Sequence, residues 1–421
     1  MPGALDGVKI VDLTAVLLGP FATQHMADMG ADVIKIEPPE GDLLRNSGRG
    51  PSPKMGPIYV AAGRNKRSVC LDLKKPAAVG VVKRLAKDAD IFIHNSRPQA
   101  IERLGLGYDD LRKVKPDIIY AYALGYKRSG PYGHKPAFDD LVQGASGAAS
   151  LQSRVDGGPP RFMPSLIADK TTGLHLAMAV LAALFHRQRT GQGQTIEVPM
   201  FETLVSFWMT EHLFGETFHP PTGPMGYDRI INKYRHPFKT RDGYVCALPY
   251  TDRHWLKFFE IAGRMDIAKD PRFVDGPTRA RHYSELYQVL DSLLLSRPTA
   301  QWLALFDEAD IPAMPVRTLE EIPHDPHLQA TGFFSEREHP TEGRITTMAS
   351  PLDFSATPTS FRRHAPRLGV DGPDVLREHG YAQAEIDALM AEKALLIPTF
   401  ETDPSPASRE REGPIASAMG G

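Results

Sequence analysis

A single carboxylate, Asp169, stands inside SLIADKTTGLHL (Ser165–Leu176), between a short apolar run and a long one. Two chemistries suit an acid at that point. Asp is a favoured residue at the mouth of a helix, where its charge meets the positive end of the dipole. The same geometry keeps a carboxylate ionised and partly stripped of water, and carboxylates also act as covalent nucleophiles. The residues themselves leave both open. Other side chains suggest a ligand with several phosphates. Arg64, Lys66 and Arg67 precede one strand-like run, Lys74 and Lys75 follow it, and Ser96, Arg97 and Arg103 follow another that ends at Asn95. Each of these cations also fits a solvated surface. Arg229 and Arg235, in YDRIINKYR, are spaced to hold a substrate carboxylate as a pair, and are equally at home as surface arginines.

These side chains need elements to hold them. VKIVDL (Val8–Leu13), DVIKIE (Asp32–Glu37), SVCLDL (Ser68–Leu73), DIFIHN (Asp90–Asn95) and DIIYAY (Asp117–Tyr122) read as strands. Between them lie helical stretches, such as Phe21–Met29 and a helix opening at Pro76. Strand–helix alternation of this kind predicts an α/β fold with a mostly parallel sheet covered on both faces. In such sheets ligands bind at the carboxyl ends of strands. After Asp169, Thr171–Arg189 reads as one helix, apolar on nearly every face and therefore buried. Composition shifts near HPPTGP. A smaller domain is expected over 224–331, with a hairpin strand at Tyr244–Leu248 and helices over Trp255–Gly263 and Tyr283–Leu295. Residues 1–223 and 332–397 then form the large domain, and 398–421, rich in Pro, Gly and Ser, are expected to be disordered.

Composition narrows the function classes. The 421 residues are 42% hydrophobic with a net charge of −2, so a strongly basic nucleic-acid surface is not expected. Cys70 and Cys246 sit in apolar runs and read as buried thiols of a reducing compartment. The start shows no secretory pattern. The longest apolar run, Leu174–Phe185, is shorter than the ~20 residues of a membrane span. A soluble, cytoplasmic protein without a membrane partner is the expectation. G-x-G-x-x-G, P-loop, His-Glu-x-x-His, Cys-x-x-Cys and Gly-x-Ser-x-Gly patterns are all missing, so no metal site is expected.

Long ordered stretches resemble class III (family III) CoA-transferases. They are LDGVKIVDLTAVLLGPFATQHMADMGADVIKIEPP, NKRSVCLDLK, HNSRPQAIERLGLGYDDL, GPYGHKPAFDDLVQGASG and ADKTTGLHLAMAVLAALFHRQRTGQGQTIEV. DRHWLKFF, DPRFVDGPTRARHYSEL and ADIPAMPV add to the resemblance, which spans nearly the whole chain up to the final tail. It implies a Rossmann-like large domain built from both chain ends, an inserted smaller α+β domain and an interlocked homodimer. It makes Asp169, in ADKTTG, the nucleophile that carries an acyl group and then CoA. Acyl-CoA and a free carboxylic acid are the implied substrates, with no permanently bound cofactor. Val16, Leu17, Lys74, Lys75, Asn95, Ser96, Arg103 and Met200 match positions along the CoA site. Relatives often carry Arg where this chain has Pro38, which leaves Arg64, Lys66 or Arg67 to supply that contact. The glycine-rich loop of formyl-CoA:oxalate enzymes is replaced by ALPYTDRHW. Racemases of related fold place a histidine where Phe138 stands, and Phe cannot carry a proton. Alternatives to a transferase are an α-methylacyl-CoA racemase-like isomerase and an acyl-CoA-binding relative without turnover.

Overall fold

Short runs of β-branched and aliphatic residues form the centre of the fold. A computed structural model of the chain describes residues 1–400; the expected disordered tail lies almost wholly outside the described residues. Strands β1 (Lys9–Leu13), β2 (Asp32–Glu37), β3 (Lys66–Leu71), β4 (Ile91–His94), β5 (Ile119–Leu124) and β6 (Thr195–Pro199) lie in the order 3-2-1-4-5-6. All neighbours in this series pair in parallel. Leu395–Leu396 adds an antiparallel strand outside β3. The strand order reverses between β1 and β4, as in doubly wound α/β sheets.

Successive residues of the inner strands are buried on both faces: Ile10 and Val11, Val33 and Ile34, Phe92 and Ile93. A parallel sheet of this kind needs helices on both sides. The helices of the first half are α1 (Leu18–Asp28), α2 (Pro57–Ala62), α3 (Pro76–Lys87), α4 (Pro98–Arg103) and α5 (Tyr108–Leu111). They are followed by α6 (Asp139–Ala145), α7 (Ala148–Asp156), α8 (Ile167–Thr190) and α9 (Met200–His212). On one face, Val81, Val82 and Leu85 of α3 pack with Val11, Ile34, Val69 and Phe92. Val375, Leu376 and Ile386, from the helices Gly372–Glu378 and Gln383–Ala391, complete that core. Both ends of the chain thus build one sheet layer. Elsewhere α1 packs on α8, and α8 packs on β5 and β6.

The first compact unit comprises Met1–Val142, Leu166–Leu204 and the described residues from Gly332 onward; the second comprises Gln143–Ser165 and Val205–Thr331. The second unit is therefore larger than the expected 224–331 and includes α7. The composition shift at HPPTGP marks a loop, whereas unit membership depends on which core each segment packs against. The second unit holds a three-stranded antiparallel sheet, Phe238–Lys239, Tyr244–Ala247 and Ala313–Pro315. Its core gathers Trp255, Phe258, Phe259, Leu286, Leu290, Trp302 and Phe306. The helix expected from Trp255 begins at Asp252, where the Thr251 hydroxyl accepts the His254 N–H and caps it. Period-two alternation puts Val245 and Ala247 inward and leaves Cys246 exposed, which corrects the expectation of a buried thiol; Cys70 is buried.

Candidate active site

The crevice of a doubly wound sheet opens at its carboxyl edge, where the strand order reverses. The loop Thr14–Leu17 leaves β1 there, and its backbone is anchored residue by residue. The Asp12 carboxylate accepts the Thr14 N–H at 2.8 Å and its hydroxyl at 2.5 Å. Lys35 donates to the Thr14 carbonyl at 2.7 Å. Asn95, just past β4, accepts the Ala15 N–H at 2.8 Å and donates to the Ala15 carbonyl at 2.7 Å. Asp42 accepts the Val16 N–H at 3.0 Å. Val16 is held at φ 64°, a left-handed conformation that a β-branched residue adopts only when its surroundings impose it.

A buried ionic lattice supports this loop. Lys35 pairs with Asp42 at 2.8 Å, Arg45 with Glu37 at 2.6 Å and Lys66 with Asp12 at 3.7 Å. Burial alone raises the pKa of Glu37, but hydrogen bonds and charge from Arg45 overcome it and bring it down to about 2. Burial pushes the Lys66 ammonium down to about 8 against the pull of Asp12. Three cations balance three acids, which makes the burial tolerable rather than strongly stabilising.

Asp169 lies in the first turn of α8. It is not the cap. Leu166 occupies the cap position, and the Asp169 N–H donates to the Asp139 carboxylate at 2.9 Å. The acid that satisfies this helix start therefore comes from α6, thirty residues upstream. Asp169 is only 9% exposed. Burial first, and the Asp139 charge second, push its pKa up to about 7. Among the described residues, no cation pairs with it.

Gly173 explains where this carboxylate sits. A Cβ at Gly173 would lie 2.6 Å from the Leu18 carbonyl and 3.3 Å from the Phe21 ring, so α8 touches α1 at the opening turn of α1. Both helices return from the carboxyl edge to the start of the next parallel strand, and so run in the same direction. Asp169 lies one turn before Gly173 on the same face, about 6 Å nearer the carboxyl edge. That is the level of the anchored loop Thr14–Leu17.

The expected site residues divide by edge. Val16, Leu17, Asn95 and Ser96 lie at the carboxyl ends of β1 and β4, Lys74 and Lys75 beyond β3, and Arg103 in the last turn of α4. Lys74 and Arg103 are exposed; Lys75 donates to the Glu392 carbonyl. Arg64 and Arg67 lie at the opposite edge, because residues before a strand and after it face opposite ends of a parallel sheet. Arg64 pairs with Asp28 at 2.7 Å, and Arg67 with Asp32 at 2.6 Å and with Glu378. Lys66 is buried beneath α1, donating to the Pro20 carbonyl at 2.7 Å. The structure thus gives Arg64 and Arg67 internal partners away from the strand-end residues, whereas Lys66 reaches beneath the Thr14–Leu17 loop through Asp12. Met200 is buried at the start of α9. Phe138 is 60% exposed, directly before Asp139. Arg229 and Arg235 do not form a pair: each lines a different cavity of the second unit.

The helix read as Thr171–Arg189 spans Ile167–Thr190 and is not buried all round. Leu174, Met178 and Phe185 are exposed along one face. By length and hydropathy it would pass for a membrane span, but half of its most apolar stretch is buried inside the chain, as in a core helix. Sequence reasoning missed Asp12, Lys35, Asp42 and Asp139. Asp139 carried one signal, the paired acids of FDD after the strand β5; the others are recognisable only once the strands are side by side.

Comparison with known proteins bears on this arrangement. The family model described as CoA-transferase family III matches residues 5–372. An acyl-CoA transferase of Fusarium pseudograminearum is 34% identical over 90% of this chain and 85% of its own. A succinyl-CoA:glutarate CoA-transferase of Mus musculus is 31% identical over 89% and 86%. A formyl-CoA:oxalate CoA-transferase of Escherichia coli is 30% identical over 94% and 100%. Among solved structures, Rv3272 of Mycobacterium tuberculosis superimposes with a TM-score of 0.77 at 30% identity, covering 88% of this chain and 99% of that one. A sheet that opens between β1 and β4, a buried acid beside the crevice and a family match over most of its length together mean that this chain belongs to CoA-transferase family III.

Proposed function

We propose that the protein moves CoA from an acyl-CoA to a free carboxylic acid, with Asp169 as the covalent relay. The carrying observation is a desolvated carboxylate, without a cation partner among the described residues, at the level of a rigid loop on the sheet's carboxyl edge. The ionised Asp169 oxygen attacks the thioester carbonyl carbon. The C–S bond breaks, CoA leaves as thiolate, and an aspartyl–acyl anhydride remains. The thiolate then attacks the aspartyl carbonyl, releasing the donor acid as carboxylate and leaving an aspartyl-CoA thioester. The acceptor carboxylate attacks that thioester, forming a new anhydride and freeing the thiolate. Attack of the thiolate on the acceptor's acyl carbon makes the new acyl-CoA and restores Asp169. Every bond made is balanced by one broken, and no redox or metal step is required.

The loop Val16–Leu17 with Asn95 and Ser96 lines the path of the thioester arm, and Met200 borders it. Lys74, Lys75 and Arg103 face the CoA phosphates. ALPYTDRHW in place of a glycine-rich loop favours an acid other than oxalate. Phe138, where a racemase needs histidine, disfavours the isomerase. The exposed apolar face Leu174, Met178 and Phe185 supports a homodimer.

The test is Asp169→Ala. The variant should keep its fold and lose CoA transfer by several orders of magnitude. Trapping wild type with acyl-CoA and hydroxylamine should mark Asp169 as a hydroxamate. Full activity in a folded Asp169→Ala protein overturns the nucleophile.

A further inference from the structure

The second compact unit contains a cavity of about 280 Å³ that the proposed chemistry does not use. Arg229 is one of its lining residues. Its guanidinium stands over the Tyr250 ring at 5.2 Å and the Tyr283 ring at 5.6 Å. The neutral hydroxyls of Tyr287 and Tyr227 favour its charged form. Its Nε is buried and has no hydrogen-bond partner. Other arginines of this unit face acids: Arg279 with Asp252, Arg253 with Asp310, Arg264 with Asp266 and Arg272 with Asp270. Arg229 forms no such pair among the described residues.

A guanidinium flanked by aromatic rings, with no acid beside it, is stabilised but not neutralised. Its fork is shaped for a carboxylate, and a buried donor without an acceptor is costly until one arrives. Tyr250 and Tyr283 supply flat faces, while Leu248, Pro249 and Trp255 supply an apolar wall. We infer that this cavity is a binding pocket for a small organic carboxylate, with Arg229 gripping the carboxyl group and the tyrosines enclosing its short carbon body.

Isothermal titration of the full chain with glutarate and with benzoate, without acyl-CoA, tests this. Because no acyl-CoA is present, the outcome is independent of whether Asp169 is a nucleophile. Wild type should bind at least one of these acids, and the matching alcohol or amide should bind at least tenfold more weakly. Arg229→Met should lose the binding by more than tenfold with an unchanged melting temperature. Arg229→Lys, which keeps charge without the fork, should fall between. Kinetics identifies the source of the acid. If it is the CoA acceptor, Arg229→Met raises KM for the acid while KM for acyl-CoA stays constant. If it is a separate ligand, both KM values stay constant while the calorimetric site disappears. Equal binding by wild type and Arg229→Met, or no binding of either acid at 10 mM (about 100-fold above a 0.1 mM Kd, near −5.5 kcal/mol), overturns the pocket. Should Arg229→Met fail to fold, Tyr283→Phe and Arg229→Lys carry the same comparison.

Discussion

At the scale of one residue, Asp169 combines two demands that conflict. Burial and the Asp139 carboxylate raise its pKa to about 7, so near neutral pH it is only about half ionised. Only the ionised form attacks a thioester. We expect kcat/KM for acyl-CoA to climb about tenfold per pH unit below 7 and to level off above it. A rate flat from pH 5 to 8 would remove Asp169 as the titrating nucleophile. The same shift affects stability. The folded protein holds this proton more tightly than the unfolded chain, whose Asp titrates near 3.9. The contribution is therefore complete below about pH 4 and is lost as pH rises through about 7. Asp169→Asn should remove that loss. At pH 8 it should melt higher than wild type, by up to roughly 4 kcal/mol for a shift of about three units, and the difference should vanish at pH 4. A variant less stable than wild type at pH 8 would mean that the carboxylate makes a stabilising contact instead.

At the scale of elements, the two edges of the sheet hold different cations. Arg103 ends α4 beyond the carboxyl end of β4; Arg67 is the second residue of β3 and is committed to Asp32 and Glu378. Arg103→Glu should raise KM for acyl-CoA several-fold with little effect on the acid, and the effect should shrink in high salt, where the Debye length falls to ~3 Å. Arg67→Glu should lower the melting temperature by placing three acids together, while leaving KM for acyl-CoA within about twofold. Steady-state kinetics and thermal melts of the two variants decide this; the reverse pattern would return the phosphate site to the amino edge. Gly173 belongs to this scale too. It lets α8 close on α1, which is what brings the first turn of α8 level with the Thr14–Leu17 loop.

At the scale of the whole molecule, the exposed apolar stripe on α8 needs a cover. Leu174 and Met178 are one turn apart and Phe185 two turns further, all on one face. With a second copy covering it, light scattering should give twice the 46.4 kDa of one chain at micromolar concentration. A Leu174→Glu, Phe185→Lys double variant should shift the mass toward one chain and reduce activity. A wild-type protein that is monomeric and fully active would end the dimer proposal.

Strand and helix periodicity were legible along the chain, because a parallel sheet repeats one short apolar pattern with turns between. Asp169 stood out as a candidate, because ADKTTG is a local motif and its spacing to Gly173 follows from one helical turn. The cap reading failed because a helix start can be satisfied from outside its own sequence: Asp139 reaches Asp169 from α6. Arg64 and Arg67 looked like neighbours of Lys74 in sequence, yet a strand of six residues carries the chain from one edge of the sheet to the other. Arg229 and Arg235 looked like a pair, and the turn between them sends each to its own cavity. Local periodicity is written in consecutive residues, so the sequence by itself determined the elements and marked Asp169 as a candidate. Edge, partner and burial depend on residues far apart in the chain, and only the tertiary structure decided those.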